Sequence, residues 1–181
     1  EAIEEFFKTL KVKEISWYSH VHNTIYVDQA SIGKTPRSCP ATFIGVFDNI
    51  RNLFAWAQDS KLMWFTSGHF SFNSNKWACP ECDGYGYKKI ELQFLPDTYV
   101  PCPLCRGKRY KPEILSIRWH GKTISDVLEM YVHEAHEFFS DVGWVSDELK
   151  LMVDIGLWYL KMWQAAHTLS WWESQRIKLV K

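Results

Sequence analysis

Four cysteines carry the plainest chemistry in this chain: Cys79-Pro80-Glu81-Cys82 and Cys102-Pro103-Leu104-Cys105, with nineteen residues between the pairs. A Cys-x-x-Cys turn lays two sulfurs side by side, and two such turns at this separation close a four-thiolate tetrahedron of the kind that holds Zn2+. With four protein ligands the ion keeps no open position, so it would stiffen a loop rather than activate water. A redox dithiol needs one such pair inside a thioredoxin-like βαβ pattern, and neither pair has that setting. The fifth cysteine, Cys39, is left as a lone thiol and is expected to be the reactive one.

Basic residues form the second chemical set. Between Lys76 and Lys111 seven Lys and Arg residues meet four acids, Glu81, Asp83, Glu91 and Asp97. The surplus shrinks once four thiolates and a divalent ion are counted, which describes a weakly basic surface and not a polycation. Lys88, Lys89, Lys108 and Arg109, with Tyr110 beside them, are candidates for phosphate contact and base stacking; the plainer reading is the wet face of a hairpin. Gly33-Lys34-Thr35 suggests a phosphate loop, yet the motif's first glycine would fall on Asp28 and no helical pattern follows. His133 and His136 have no acidic or cysteine partner at ligand spacing and read as surface histidines.

The elements that must position these residues are those of a soluble α+β chain. It has 181 residues, 46% of them apolar, with 21 basic and 21 acidic side chains. No apolar run is long enough to cross a bilayer, and Glu1 to Leu10 is acidic and amphipathic, unlike a leader; a cytoplasmic protein without membrane partners is expected. Apolar spacing predicts a helix over Glu1–Lys13, a strand at Ile25-Tyr26-Val27 and a helix from Phe47 to Ala57. Lys88 to Leu95 alternates as a half-buried strand, with Tyr99-Val100 returning toward the second cysteine pair and the tip near Pro96-Asp97. Tyr99 and Phe94 read as core residues. Glu113 to Trp119 reads as a strand, and one helix runs from the cap Thr123, paired with Asp126, through Phe138. Ser146 is expected to cap the next helix, and Ser170 with Glu173 forms a capping box for the last.

Three separated segments carry a resemblance. Asp28-Gln29 through Gly33-Lys34-Thr35-Pro36-Arg37-Ser38-Cys39 to Thr42, the cysteine region with Phe94 to Cys102, and Thr168-Leu169-Ser170-Trp171-Trp172-Glu173-Ser174-Gln175-Arg176 together resemble the second ATPase half of the UvrA family, the damage-sensing subunit of bacterial excinuclease ABC. The likeness covers residues from about 25 to 181. It implies an α+β fold, an ABC-ATPase signature (helical) subdomain fragment with an inserted β-hairpin module clamped by zinc on four cysteines. The parts would be an unassigned helix and linker (1–24), a Q-loop and DNA-contact segment (25–70), the zinc-finger module (71–119) and a helical signature subdomain (120–181).

By that resemblance Gln29 is the Q-loop glutamine, and Ser170, Trp171, Trp172, Glu173 and Gln175 form the signature that closes on ATP and Mg2+ held by the opposite nucleotide-binding half. Lys34, Arg37, Ser38 and Thr42 resemble the family's contact to duplex DNA, where charge and hydroxyl bonds to phosphate fix position and not sequence. A UvrA homodimer, a UvrB-like helicase subunit and a place in nucleotide excision repair are implied for the complete protein. With no Walker A or Walker B motif in it, this chain is expected to be inactive alone. Two other classes compete: a DnaJ-type cochaperone module, suggested by Cys79 to Gly86, and a structural zinc module without a ligand.

The sequence departs from the family at Cys39, where an Asn is expected, and in its tryptophans. Ten Trp against nine Gly is a large excess. Trp64, Trp77, Trp158, Trp163, Trp171 and Trp172 stand where the family has glycine. GGA and UGA differ by one base, and some lineages read UGA as Gly, so several of these tryptophans are expected to be glycines misread in translation of the gene sequence. The rival is a real loss of ATP coupling. Mass spectrometry of the native peptide spanning residues 171 and 172 is expected to show two glycines; two tryptophans there would end the misreading account.

Overall fold

The computed structural model describes residues 32–33, 37–92 and 98–180. The expected helix over Glu1–Lys13, the strand Ile25–Val27, Gln29, Lys34, Phe94 and the hairpin tip lie outside them. Cys39 caps a short helix α1 (Pro40–Ile44), and Pro40 suits its first turn because the missing N–H would have had no helical partner. Gly45, at φ 96°, then turns the chain into α2 (Val46–Trp56). Helix α2 buries Val46, Phe47, Ile50, Leu53 and Phe54 on one face, as their spacing predicts, and α3 (Gln58–Leu62) follows it. A 3-10 turn over Ser67–Phe70 returns Phe70 to Phe54, with ring centroids 5.7 Å apart.

Strands β1 (Tyr87–Ile90) and β2 (Thr98–Pro101) pair antiparallel, with Lys88 opposite Val100 and Lys89 opposite Tyr99. Helices α4 (Pro112–Leu115), α5 (Ile124–Glu129), α6 (Val132–Phe138), α7 (Gly143–Asp154) and α8 (Trp171–Val180) complete the order. One apolar core runs from Ile32 through Phe54, Phe72, Tyr110, Ile117, Leu128 and Leu149 to Ile177. The four paired cysteines form a cluster of their own. Tyr110, wholly buried, joins the two: its hydroxyl donates to the Phe70 carbonyl at 2.8 Å while its chain neighbour Arg109 accepts from Cys79 N at 2.8 Å.

Several sequence expectations are corrected. The single helix over 123–138 is two, because residues 158–163 bond across the break: Val132 N donates to Leu160 O at 2.9 Å and Met162 N to Met130 O at 3.0 Å. Glu134 then accepts from Tyr131 N and restarts the helix. Ser146 does not cap α7; it lies inside the helix, and its hydroxyl pairs with His136 Nδ1 at 2.9 Å. Glu113 to Trp119 is not a strand, since Pro112 opens a helical turn there. The hairpin strand stops at Ile90, and Ile90 and Leu92 are exposed because no layer covers that face. Tyr99 is likewise not core, being 48% exposed.

Among the six unexpected tryptophans, Trp64 has a backbone reason to be glycine: its φ is 56° and its side chain is 87% exposed. The left-handed region costs a residue with a Cβ roughly 1–2 kcal/mol, partly offset by the greater chain entropy of unfolded glycine. Trp158, Trp171 and Trp172 are also exposed, whereas Trp77 and Trp163 pack against the core. Trp64→Gly is expected to stabilise the chain by about 0.5–1 kcal/mol. A rise in the urea midpoint at constant slope checks it, and a lower midpoint contradicts the strain account.

Candidate functional site

Each cysteine pair sits on a turn that the next two residues make possible. After Cys82 come Asp83 at φ 46° and Gly84 at φ 79°; after Cys105 come Arg106 at φ 50° and Gly107 at φ 87°. A Cβ on Gly84 would stand 2.1 Å from the Phe72 carbonyl oxygen, so only glycine fits there. Cys102 N donates to Gly86 O at 2.9 Å, which brings the second turn up against the first. The four Sγ atoms lie within 4.8 Å of one another, at 3.9 Å for Cys79 to Cys102 and 3.6 Å for Cys82 to Cys105. Zinc–sulfur bonds of about 2.3 Å in a tetrahedron require sulfurs about 3.8 Å apart, so this donor set fits that ion. All five cysteines are free and buried. Gly86 N also donates to Cys82 Sγ at 3.2 Å, a contact that favours thiolate, while burial pushes the thiol's proton affinity up in the absence of a cation.

Cys39 is not the reactive thiol that its isolation in the sequence suggests. It is 2% exposed, and burial pushes its thiol above the ordinary range despite hydrogen bonds with Thr42. Thr42 has its hydroxyl occupied as well: Oγ1 accepts from Cys39 N at 3.1 Å and donates to Cys39 O at 2.9 Å, closing the cap of α1.

Arg37 reaches the metal region. Its guanidinium donates to the Asp83 carbonyl at 2.6 Å and lies 4.5 Å from the Tyr85 ring centroid. The Ser38 carbonyl accepts from Ala166 N at 2.8 Å, tying the same loop to the segment ahead of α8. Lys88 pairs with Glu81, and Lys89 with Glu91 at 3.1 Å, so both are partly neutralised. Lys108 is exposed, whereas Arg109 is 4% exposed and is not a surface contact. His133 and His136 hydrogen-bond to the Trp158 and Ser146 carbonyls.

At the start of α8 the capping box forms as read: Ser170 N donates to Glu173 Oε2 at 2.6 Å and Glu173 N to Ser170 Oγ at 3.2 Å. Sequence reading misses Tyr159, whose hydroxyl donates to Glu173 Oε1 at 2.7 Å; fourteen residues of separation leave no local signal for it. Burial would raise the Glu173 carboxyl, but the bonds from Tyr159 and Ser170 outweigh it and hold the group below its ordinary value. The indoles of Trp171 and Trp172, the first two residues of α8, stand at 79° with centroids 4.5 Å apart, and both are exposed.

Similarity to known proteins decides the family. UvrABC system protein A of Halalkalibacterium halodurans is 50% identical over 169 residues, which are 93% of this chain and 18% of that protein. The chain belongs to the UvrA family. UvrABC system protein A of Thermus thermophilus is 51% identical over 160 residues, 88% of this chain and 17% of the relative. The crystal structure of UvrA2 from Deinococcus radiodurans superposes with a TM-score of 0.81 at 46% identity, covering 85% of this chain and 19% of that one. No family model matches the chain. The chain thus spans less than a fifth of the length of these UvrA relatives. No helix among the described residues is long and apolar enough to cross a membrane.

The purified chain is expected to carry one zinc ion, with no thiol reacting quickly with a mild alkylating reagent. Chelation is expected to expose four thiols together, and Cys39 only on full unfolding. Four fast thiols in the metal-loaded chain would contradict the tetrathiolate site.

Proposed function

We propose that this chain is the Q-loop, zinc-insertion and signature portion of a damage-recognition ABC ATPase acting in nucleotide excision repair. The observation that carries the reading is the junction at Arg37 and Ser38. The loop read as the DNA contact is hydrogen-bonded at one residue to the turn after the first cysteine pair and at the next to the segment before α8, which supports a shared role for the three. Zn2+ would keep the hairpin's shape, and the charge of Arg37, Lys34 and Lys108 with the paired Lys88 and Lys89 would hold phosphates without reading bases. Sequence-blind holding suits a scanner that detects a lesion by how the duplex deforms.

The N-terminus of α8 would meet a nucleotide held elsewhere, because exposed N–H groups and the helix dipole favour an anion there. Gln29 would sense the Mg2+ and terminal phosphate of that nucleotide. Trp171 and Trp172 obstruct close approach, and glycines at both positions would open it. A second UvrA copy and a UvrB-like helicase subunit complete the assembly in this reading.

Duplex DNA binding is expected to weaken with salt at a log–log slope of about −3, from three or four phosphate contacts. Lys108→Ala is expected to make that slope shallower by about one, equally for different sequences. Fluorescence anisotropy over a salt series checks both. A slope near zero would favour a cochaperone-type or purely structural zinc module.

A further inference from the structure

The hairpin and the segment ahead of α8 enclose a cavity of about 450 Å³ that neither the metal site nor the signature uses. Its volume falls within the roughly 300–1,000 Å³ usual for small-ligand sites. Two of its walls are tyrosines on one face of the hairpin. Tyr87 and Tyr99 are diagonal neighbours across the strands, with ring centroids 5.4 Å apart at 82°. His167 faces them from the other side, 5.9 Å from Tyr99. Gly86 and Gly107 line the cavity without side chains, which leaves room beside the rings.

Arg109 supplies the charge. It lines this cavity, is 4% exposed, and forms no ion pair with a carboxylate among the described residues. Its guanidinium rests against rings, 4.5 Å from Trp163 and 5.9 Å from Tyr87, and donates once to the Gly84 carbonyl at 3.3 Å, leaving Nε without a partner. Its main chain borders the cysteine cluster, where Cys79 N donates to the Arg109 carbonyl at 2.8 Å, so the guanidinium also feels the charge of that centre. Lys161 and Glu129, also in the lining, neutralise each other at 3.1 Å. A buried guanidinium with no carboxylate partner among the described residues favours an anionic ligand on its cavity side.

We propose that the cavity takes one unstacked nucleobase together with its phosphate, the ring against Tyr87 and Tyr99 and the phosphate toward Arg109. Aromatic walls suit a base because every base offers a π-face, and a phosphate supplies the negative charge that a neutral aromatic ligand lacks. The proposal deepens the nucleic-acid reading above and rests on it for a strand as the source of the base; a free nucleotide has the same chemistry. Trp163 lines one side, and Trp163→Gly would widen the cavity while keeping Tyr87, Tyr99 and Arg109 and removing the ring nearest the guanidinium.

The test uses the zinc-loaded full chain and four probes: deoxyadenosine monophosphate, a short single strand carrying 2-aminopurine, a duplex with one unpaired 2-aminopurine, and the fully paired duplex. The expected result is quenching of the unpaired 2-aminopurine on binding, with the unpaired duplex held about tenfold more tightly than the paired one. Tyr99→Ala is expected to abolish that preference and Tyr99→Phe to restore it, with zinc content confirming the fold of each. Competition by deoxyadenosine monophosphate at comparable affinity would support the site with a free nucleotide as its ligand; quenching by strands alone would support it with a strand base. Equal binding of the two duplexes without quenching overturns the cavity proposal while the nucleic-acid reading stands. Binding of the single strand with no binding of paired duplex supports the cavity and sinks the duplex reading.

Discussion

Four sulfurs converging on one point are the constraint on which the rest depends. Two four-residue strands with one face open to water are too short to hold themselves, since an isolated hairpin is marginal at best. The cysteine turns close both ends of that hairpin onto a single centre, and a metal held there would offset the cost of closing nineteen intervening residues with bonds available only to the folded chain. Positive φ at Asp83, Gly84, Arg106 and Gly107 follows from this, because the chain must reverse immediately after each second ligand. The core then needs only one strong attachment to the closed unit. Tyr110 provides it, with a buried ring among apolar neighbours and a hydroxyl satisfied by the Phe70 carbonyl.

What the sequence makes legible is what local chemistry determines. The ligand pairs, the face of α2 and the two boxes Thr123–Asp126 and Ser170–Glu173 each depend on residues within a few positions of one another, and each is in place. The break at Met130-Tyr131 is not legible, because the apolar pattern continues through it and its cause lies thirty residues away in the segment that pairs with it. Alternation from Lys88 to Leu95 overruns the strand, which ends at Ile90, and it cannot say that nothing covers Ile90 and Leu92. Tyr99 reads as core for the same reason: periodicity gives the face and not what lies opposite. At the site, the cysteines are found from spacing, while Asp83, Tyr85 and Tyr159 enter through a carbonyl, a ring face and a distant hydroxyl that carry no sequence mark.

Cys39 illustrates how a departure from a family pattern can be absorbed. Asparagine is among the strongest helix N-caps, and a thiol is a poor substitute. Here Thr42 closes the box instead, by accepting from Cys39 N, and the sulfur is buried where a polar side chain would have needed partners. Trp171 and Trp172 leave the capping box intact, since Ser170 and Glu173 make it between themselves, and both indoles stand exposed at the first two helical positions. Helix formation at this terminus thus does not depend on what stands at positions 171 and 172.

The junction at residues 37–41 explains how three distant stretches of sequence come to share one neighbourhood. Arg37 donates to the Asp83 carbonyl in the turn after the first cysteine pair, the Ser38 carbonyl accepts from Ala166, and Ala41 N donates to the Met162 carbonyl at 3.2 Å. Two of these bonds are main chain to main chain, and the third ends on a main-chain oxygen of a turn whose geometry the cysteines fix. Loops held by backbone bonds move as units, because breaking one leaves a partly buried carbonyl or N–H without a partner. A shift of the knuckle therefore acts on the loop through Arg37, and a shift of the segment before α8 acts on it through Ser38. The cysteine hairpin, the loop and the segment before α8 therefore meet within residues 37–41.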